Sequence, residues 1–239
     1  MTMRHRKSAL QVCLLFPCIF AVINCGNPKQ SGGTAGHLSE PVLKNQYTLA
    51  GTKNLYSGYR PIDSKGYIHV VVEIPAGTSQ KWEVNKNSGN LELELKDKKP
   101  RIVNYLGYPG NYGMVPRTLL PEEKGGDGDP LDVIVLGPAV PRGTVLQARL
   151  IGMLKMLDGG EQDDKLIAVM LDSHFADIGS LEELEDRYVG ALRILDLWFS
   201  NYKGYGVMES GGMADEKEAR RVLEKAIDAY SEQEVLAEK

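Results

Sequence analysis

Carboxylates gather at two places in this chain. In Gly126-Asp127-Gly128-Asp129-Pro130-Leu131-Asp132, three aspartates stand directly before the apolar run Val133-Ile134-Val135-Leu136. Asp127 and Asp129 are two residues apart, so an extended backbone points them to one side, while Asp132 sits at an odd offset. Gly128 and Pro130 permit and fix a bend that lets all three converge. Converging carboxylates raise one another's pKa unless a cation compensates them. Hard oxygen donors suit Mg²⁺, Mn²⁺ or Ca²⁺. A calcium loop of the EF-hand kind is excluded, because its Gly position holds Asp132 and its closing Glu position holds Pro138. Read alone, the motif is a divalent-metal loop or a turn whose aspartates cap backbone amides.

The second cluster is Asp158-Gly159-Gly160-Glu161-Gln162-Asp163-Asp164-Lys165. It mixes carboxylates with a lysine, as a site holding metal ions and a polyanion together would require, although taken alone an exposed hairpin tip is the plainer account. Between residues 103 and 119, Tyr105, Tyr108 and Tyr112 alternate with glycines and prolines. Phenols can donate to phosphate oxygens without adding charge, although aromatic packing beside turns is the plainer account. The four histidines, His5, His37, His69 and His174, have no metal-ligand spacing.

These loops need a scaffold that holds them rigidly. Residues 67–75 are β-branched and end at Pro75, and residues 81–96 alternate on both sides of Asn87-Ser88-Gly89-Asn90, a hairpin signal. Val133–Gly137 is a short apolar strand, and residues 144–157 and 165–171 predict a further hairpin around the second acidic loop. Successive strands without intervening helices predict an antiparallel, Greek-key or barrel-like sheet. Ser180 with Glu183 forms a capping box, and Leu181, Leu184, Tyr188, Leu192, Leu195, Phe199 and Tyr202 follow at helical spacing. A last helix carries Ala219, Val222, Leu223, Ala226, Ile227 and Tyr230 on one face. The architecture expected is a small β-barrel with helices packed on it.

In combination, these segments resemble the family I soluble inorganic pyrophosphatases. The resemblance is carried in the family's order by VVVEIPAGTSQKWEV, GYPGNYGMVP, GDGDPLDVIVLG, GMLKMLDGGEQDDKLIAV and WFSNYKG. It implies a mainly β fold, an OB-like five-stranded β-barrel with flanking helices. It also implies hydrolysis of pyrophosphate to two phosphates by metal-activated water, with several Mg²⁺ ions and with Mn²⁺ or Co²⁺ as substitutes. Carried over by motif, Asp127, Asp129, Asp132, Asp158 and Asp163 match the metal-binding aspartates, and Glu73 matches a glutamate that reaches metal or its water. Lys81, Lys165, Tyr202 and Lys203 match the phosphate-binding set, with Glu83 beside Lys81. Tyr112 matches a tyrosine near the attacking water, and Asp129 the carboxylate that contacts that water. Arg101 is the candidate for the family's phosphate-binding arginine, with Arg117 the weaker contender. The family includes hexamers and dimers, so a homo-oligomer is expected.

Such a site needs many carboxylates, several Lys or Arg and no covalent nucleophile. A non-catalytic anion- or oligonucleotide-binding module predicts gaps in the metal set, and the motifs show none. The formal net charge of −4 also speaks against a nucleic-acid surface. With 239 residues, 42% hydrophobic and 25% charged, the chain has ordinary globular composition and length for one sizeable domain.

The start of the chain reads differently. Arg4, His5, Arg6 and Lys7 precede a charge-free apolar run from Ser8 to Ile23. That is the pattern of a secretory leader; a spanning helix needs ~20 residues, and Pro17 interrupts this run. All three cysteines, Cys13, Cys18 and Cys25, fall in this segment, so the domain has no disulfide framework. Val22-Ile23-Asn24-Cys25 resembles a bacterial lipobox, with Asn24 where that family has a small residue. The expected organisation is a signal peptide over 1–25, a Gly-rich tether over 26–40 and the pyrophosphatase domain over 41–239. The protein is then exported to the periplasm or cell envelope, touching a membrane only through a lipid on Cys25. Plain secretion after cleavage is the alternative.

Overall fold

The computed structural model describes residues 37–39 and 41–237; the segment expected to be a leader and most of the expected tether lie outside them. Five strands carry the site: β1 (Ile68–Ile74), β4 (Asn111–Met114), β5 (Asp132–Leu136), β6 (Val145–Asp158) and β7 (Lys165–Met170). Their pairings close on themselves. β1 pairs with β4, β4 with β5, β5 with β7, β7 with β6, and β6 returns to β1. The expected five-stranded barrel is therefore present. An all-antiparallel sheet is not, because β5 and β7 run parallel. The reason is topological: directions cannot alternate all the way round a ring with an odd number of strands, so at least one pair must be parallel.

Period-two alternation sorts the side chains. Val133 and Val135 join Leu166, Ala168 and Met170 in one apolar cluster, with Ala219, Leu223 and Ala226 of α3 (Glu216–Ala237). Ile134 and Leu136 face the other way, with Ile167 and Val169, into a second cluster. That cluster is covered by Leu184 of α1 (Leu181–Arg187) and by Leu195, Trp198 and Phe199 of α2 (Ala191–Asn201). Strands buried on both faces explain the unbroken apolar run of β5. β4 presses closely on β1. A Cβ at Gly113 would stand 1.9 Å from the Val71 carbonyl oxygen, so only glycine fits there.

The hairpin predicted around Asn87–Asn90 forms from β2 (Trp82–Val84) and β3 (Leu91–Leu93), with Trp82 opposite Leu93. It covers Val71, Met114 and Val145. The expectation of a first strand over residues 67–75 misses Val42–Asn45 and Thr48–Ala50, which extend this sheet. His37–Ser39 also pairs, with the start of β6. These strands are too short to show alternation, and Val42 and Leu43 are exposed.

The capping box at Ser180 is present in modified form. Ser180 accepts the Glu183 amide, but the Glu183 carboxylate accepts the Gly179 amide. The single helix expected from Leu181 to Tyr202 is two. It breaks at Tyr188–Gly190, where Gly190 has φ 85 and the Glu185 carboxylate takes its amide. β8 (Met208–Asp215) was not anticipated; it pairs antiparallel with the outer half of β6, setting Met208 against Asp158. No helix among the described residues is long and apolar enough to cross a membrane.

Candidate active site

A cleft of about 260 Å³ collects every residue that the resemblance matched to the site, but not Tyr105 or the contender Arg117. The parity that sends Ile134 toward α2 also sends Asp132 to the cleft, at the first residue of β5. Parallel pairing sets Lys165, the first residue of β7, directly beside it. Tyr112 of β4 pairs with Ile134 of β5 and lines the same cleft. Glu73 comes from β1, Lys81 and Glu83 from the entry to β2, and Asp158 from the end of β6. Tyr202 and Lys203 follow α2, and the pairing of β8 with β6 brings that segment beside Asp158.

Lys165 is the centre of the charge network. It is 1% exposed, and its Nζ donates to Asp132 Oδ2 and Asp163 Oδ1, each at 2.5 Å. Burial by itself would push its pKa down, but Asp132 and Asp163 outweigh that and hold it above the ordinary lysine value. Lys81, 2.7 Å from Glu83, is held up in the same way against burial, with Tyr108 and Asp132 adding to the effect of Glu83. Lys203 pairs with Asp158.

In the carboxylates it is burial that wins. Burial raises Glu73 to about 8, although Lys81 and the Val84 amide, which donates to Glu73 Oε1 at 2.7 Å, both oppose the shift. Burial also raises Asp163 and Asp127. Asp127 Oδ1 accepts the Asp129 amide at 2.9 Å, a bond made possible by Gly128 at φ 76. The aspartate loop is therefore both an amide-capped turn and one wall of the cleft.

Tyr112 donates its hydroxyl to Asp132 Oδ2, and Lys81 and Lys165 stand 5.7 and 5.8 Å from its ring centroid. Burial, then Asp132, keeps the phenol well above its ordinary pKa, so it serves as a neutral donor. An aromatic wall supports it: Phe199 stacks on Tyr112 and Trp198 on Tyr202.

The position of Arg101 could not be read from spacing alone. Residues 95–100 form a small hairpin, Leu95 pairing with Pro100, and the Arg101 amide returns to the Glu94 carbonyl at 2.8 Å. The excursion restores the register and puts Arg101 in the cleft, its Nη1 on both Glu94 oxygens. Arg117 is elsewhere, with its Nε on the Ser57 carbonyl. His69 bonds the Arg60 carbonyl through Nδ1, and His174 packs on Phe175 and Tyr188. Tyr105 packs on Trp198 outside the cleft. Tyr108, one of the phenols named as able to donate to phosphate, lines the cleft; two contributors escaped the sequence reading, Glu94, which clamps Arg101, and Lys86, which reaches Asp129. Nothing local marks Glu94 or Lys86.

The lining holds seven carboxylates (Glu73, Glu83, Asp127, Asp129, Asp132, Asp158, Asp163) against four cations (Lys81, Arg101, Lys165, Lys203). Among the described residues no three acidic, His or Cys side chains are gathered into a closed metal cage. The aspartates are turned instead to lysines or to an amide. Excess negative charge and an all-oxygen donor set nonetheless fit hard divalent cations, and the same cleft offers ammonium and guanidinium groups to a polyanion.

Comparison with known proteins agrees with this chemistry. The family model described as inorganic pyrophosphatase matches residues 70–231. The inorganic pyrophosphatase of Gluconobacter oxydans is 37% identical over 166 residues, 68% of this chain and 90% of the relative. That of Helicobacter pylori is 35% identical over 165 residues, 67% of this chain and 90% of the relative. Among solved structures, a Helicobacter pylori inorganic pyrophosphatase superposes with TM-score 0.62 at 32% identity, covering 72% of this chain and 98% of that one. A type I inorganic pyrophosphatase from Toxoplasma gondii shares the fold with TM-score 0.73 at 24% identity, covering 82% and 98%. With the family model spanning the barrel and the loops that form the cleft, the chain belongs to the inorganic pyrophosphatase family.

Proposed function

We infer that the cleft hydrolyses inorganic pyrophosphate to two phosphates. The observation that carries this reading is the juxtaposition, in one cleft, of seven carboxylates and four cations without a histidine, cysteine or serine to act as nucleophile. Divalent ions, when bound, neutralise pyrophosphate oxygens and acidify water. Asp127, Asp129, Asp132, Asp158 and Asp163, with Glu73, would hold them, and Mg²⁺ is our choice, with Mn²⁺ or Co²⁺ as substitutes. Asp129 takes part in activating the attacking water, and Tyr112 supplies a neutral hydrogen-bond donor beside it. Lys81, Arg101, Lys165, Tyr202 and Lys203 bind phosphate oxygens and keep the two phosphoryl groups in line, with Glu83 tethering Lys81. Lys203 and Tyr202 hold the phosphate that departs last.

The test is phosphate release from pyrophosphate by the purified protein with Mg²⁺ and with EDTA. Metal-dependent release is expected; metal-independent release or none sinks the reading.

We further propose that the protein is exported and anchored in the cell envelope by a lipid on Cys25, a reading supported by the basic start, the apolar run and the lipobox-like end. Incorporation of labelled fatty acid, lost in Cys25→Ala, is the expected result; no label supports secretion instead. A homo-oligomer is proposed from the family resemblance, and light scattering would decide it.

A further inference from the structure

Lys86 stands outside the cleft, on the turn after β2. Its Nζ crosses to a segment 42 residues away, donating to the Gly128 carbonyl at 2.9 Å and to Asp129 Oδ1 at 2.6 Å. It lines the neighbouring groove with Pro121, Glu122 and Gly128, whereas Asp129 also lines the cleft. The ammonium thus approaches the aspartate loop from behind. The loop backbone is fastened separately: the Leu120 amide donates to the Asp129 carbonyl and the Gly128 amide to the Leu120 carbonyl, each at 2.8 Å. Among the described residues the Asp129 carboxylate has no such backbone support, and the hydrogen-bond donor to that carboxylate is Lys86.

We propose that Lys86 is a positioning residue for the metal site: it holds one Asp129 oxygen from behind so that the other faces the cleft. The proposal rests on the reading of Asp129 as a metal ligand. Both partners are substantially exposed, at 44% and 57%, so the pair contributes little to global stability. Partners that orient a ligating carboxylate nonetheless govern affinity, typically by 10–100-fold.

The experiment is Mn²⁺ binding to the purified protein without substrate, followed by electron paramagnetic resonance, with thermal midpoints measured in EDTA. Lys86→Met should weaken binding by ~10-fold with its EDTA midpoint unchanged, and Lys86→Arg should bind close to the unaltered protein. Unchanged or tighter binding in Lys86→Met overturns the proposal. So does weaker binding that accompanies a lowered EDTA midpoint and is not rescued by Lys86→Arg, which is the mark of a structural role. Asp129→Asn separates the two levels. If that variant binds Mn²⁺ normally, the assignment of Asp129 as a ligand fails. If it loses binding while Lys86→Met does not, the positioning role alone fails.

Discussion

Lys165 and Asp132 are register partners at the head of the parallel strand pair, and their side chains meet with Nζ 2.5 Å from Oδ2. The same ammonium reaches Asp163 at 2.5 Å, so one buried lysine keeps a carboxylate from the head of β5 and one from the second acidic loop in a common site. The parallel pairing that an odd-stranded barrel requires is what makes this meeting possible.

Replacing Lys165 by Met should leave Asp132 and Asp163 facing each other with no cation between them. Breaking a buried pair by removing one partner costs roughly 3–5 kcal/mol. We expect a loss of that order in urea denaturation with EDTA, partly recovered by Mg²⁺. A midpoint in EDTA equal to that of the unaltered protein would refute the central place given to Lys165.

Asp129→Asn keeps the shape of the loop, because Asp127 accepts the Asp129 backbone amide and not its side chain. Turnover should fall by at least ~10²-fold while the circular dichroism spectrum and thermal midpoint hold. A variant with full turnover would remove Asp129 from the chemistry.

Glu73 gives a pH dependence of known sign. In the metal-free protein its carboxyl is raised by burial from the ordinary 4.5 to about 8. The folded state therefore binds a proton more readily than the unfolded chain. The neutral carboxyl contributes stability that is fully present below the unfolded value and is lost as pH rises through about 8. Urea midpoints in EDTA should fall between about pH 5 and about pH 8, and Glu73→Gln should flatten that fall. An identical slope in the variant would show that another group titrates.

Tyr112→Phe deletes one donor to Asp132 and leaves the ring packed on Phe199. Asp132 keeps Lys165, so the stability cost should stay near ~1 kcal/mol. Turnover should fall by ~10-fold or more with KM for pyrophosphate little changed. An effect confined to KM would recast Tyr112 as a binding residue.

Gly113→Ala places a Cβ where the Val71 carbonyl oxygen lies, at 1.9 Å. The barrel cannot close without shifting β1 or β4, so the variant should be recovered mainly as insoluble protein. A soluble Gly113→Ala with an unshifted thermal midpoint would contradict the close approach of these strands.

Much of this protein is legible locally. The alternation in β2 and β3, the apolar run of β5, the Ser180 cap and the apolar face of α3 each depend on neighbours within a few residues. The aspartate spacing in 127–132 likewise carries its own chemistry. What the chain did not reveal depends on partners far away in sequence. β8, with glycines and exposed polar residues, shows no pattern until it lies on β6. Arg101 could not be placed until the hairpin over 95–100 folded out and restored the register. Lys86 and Glu94 look like ordinary surface charges until Asp129 and Arg101 come within hydrogen-bond distance.

The sequence by itself therefore determined the chemistry available: hard oxygen ligands, cations for a polyanion and strands able to hold them, because residue type and short-range spacing dictate donor character and face. Only the tertiary structure decided which carboxylate meets which cation. That depends on closing a five-stranded ring, and ring closure, with its obligatory parallel pair, joins residues whose separation along the chain carries no local signal.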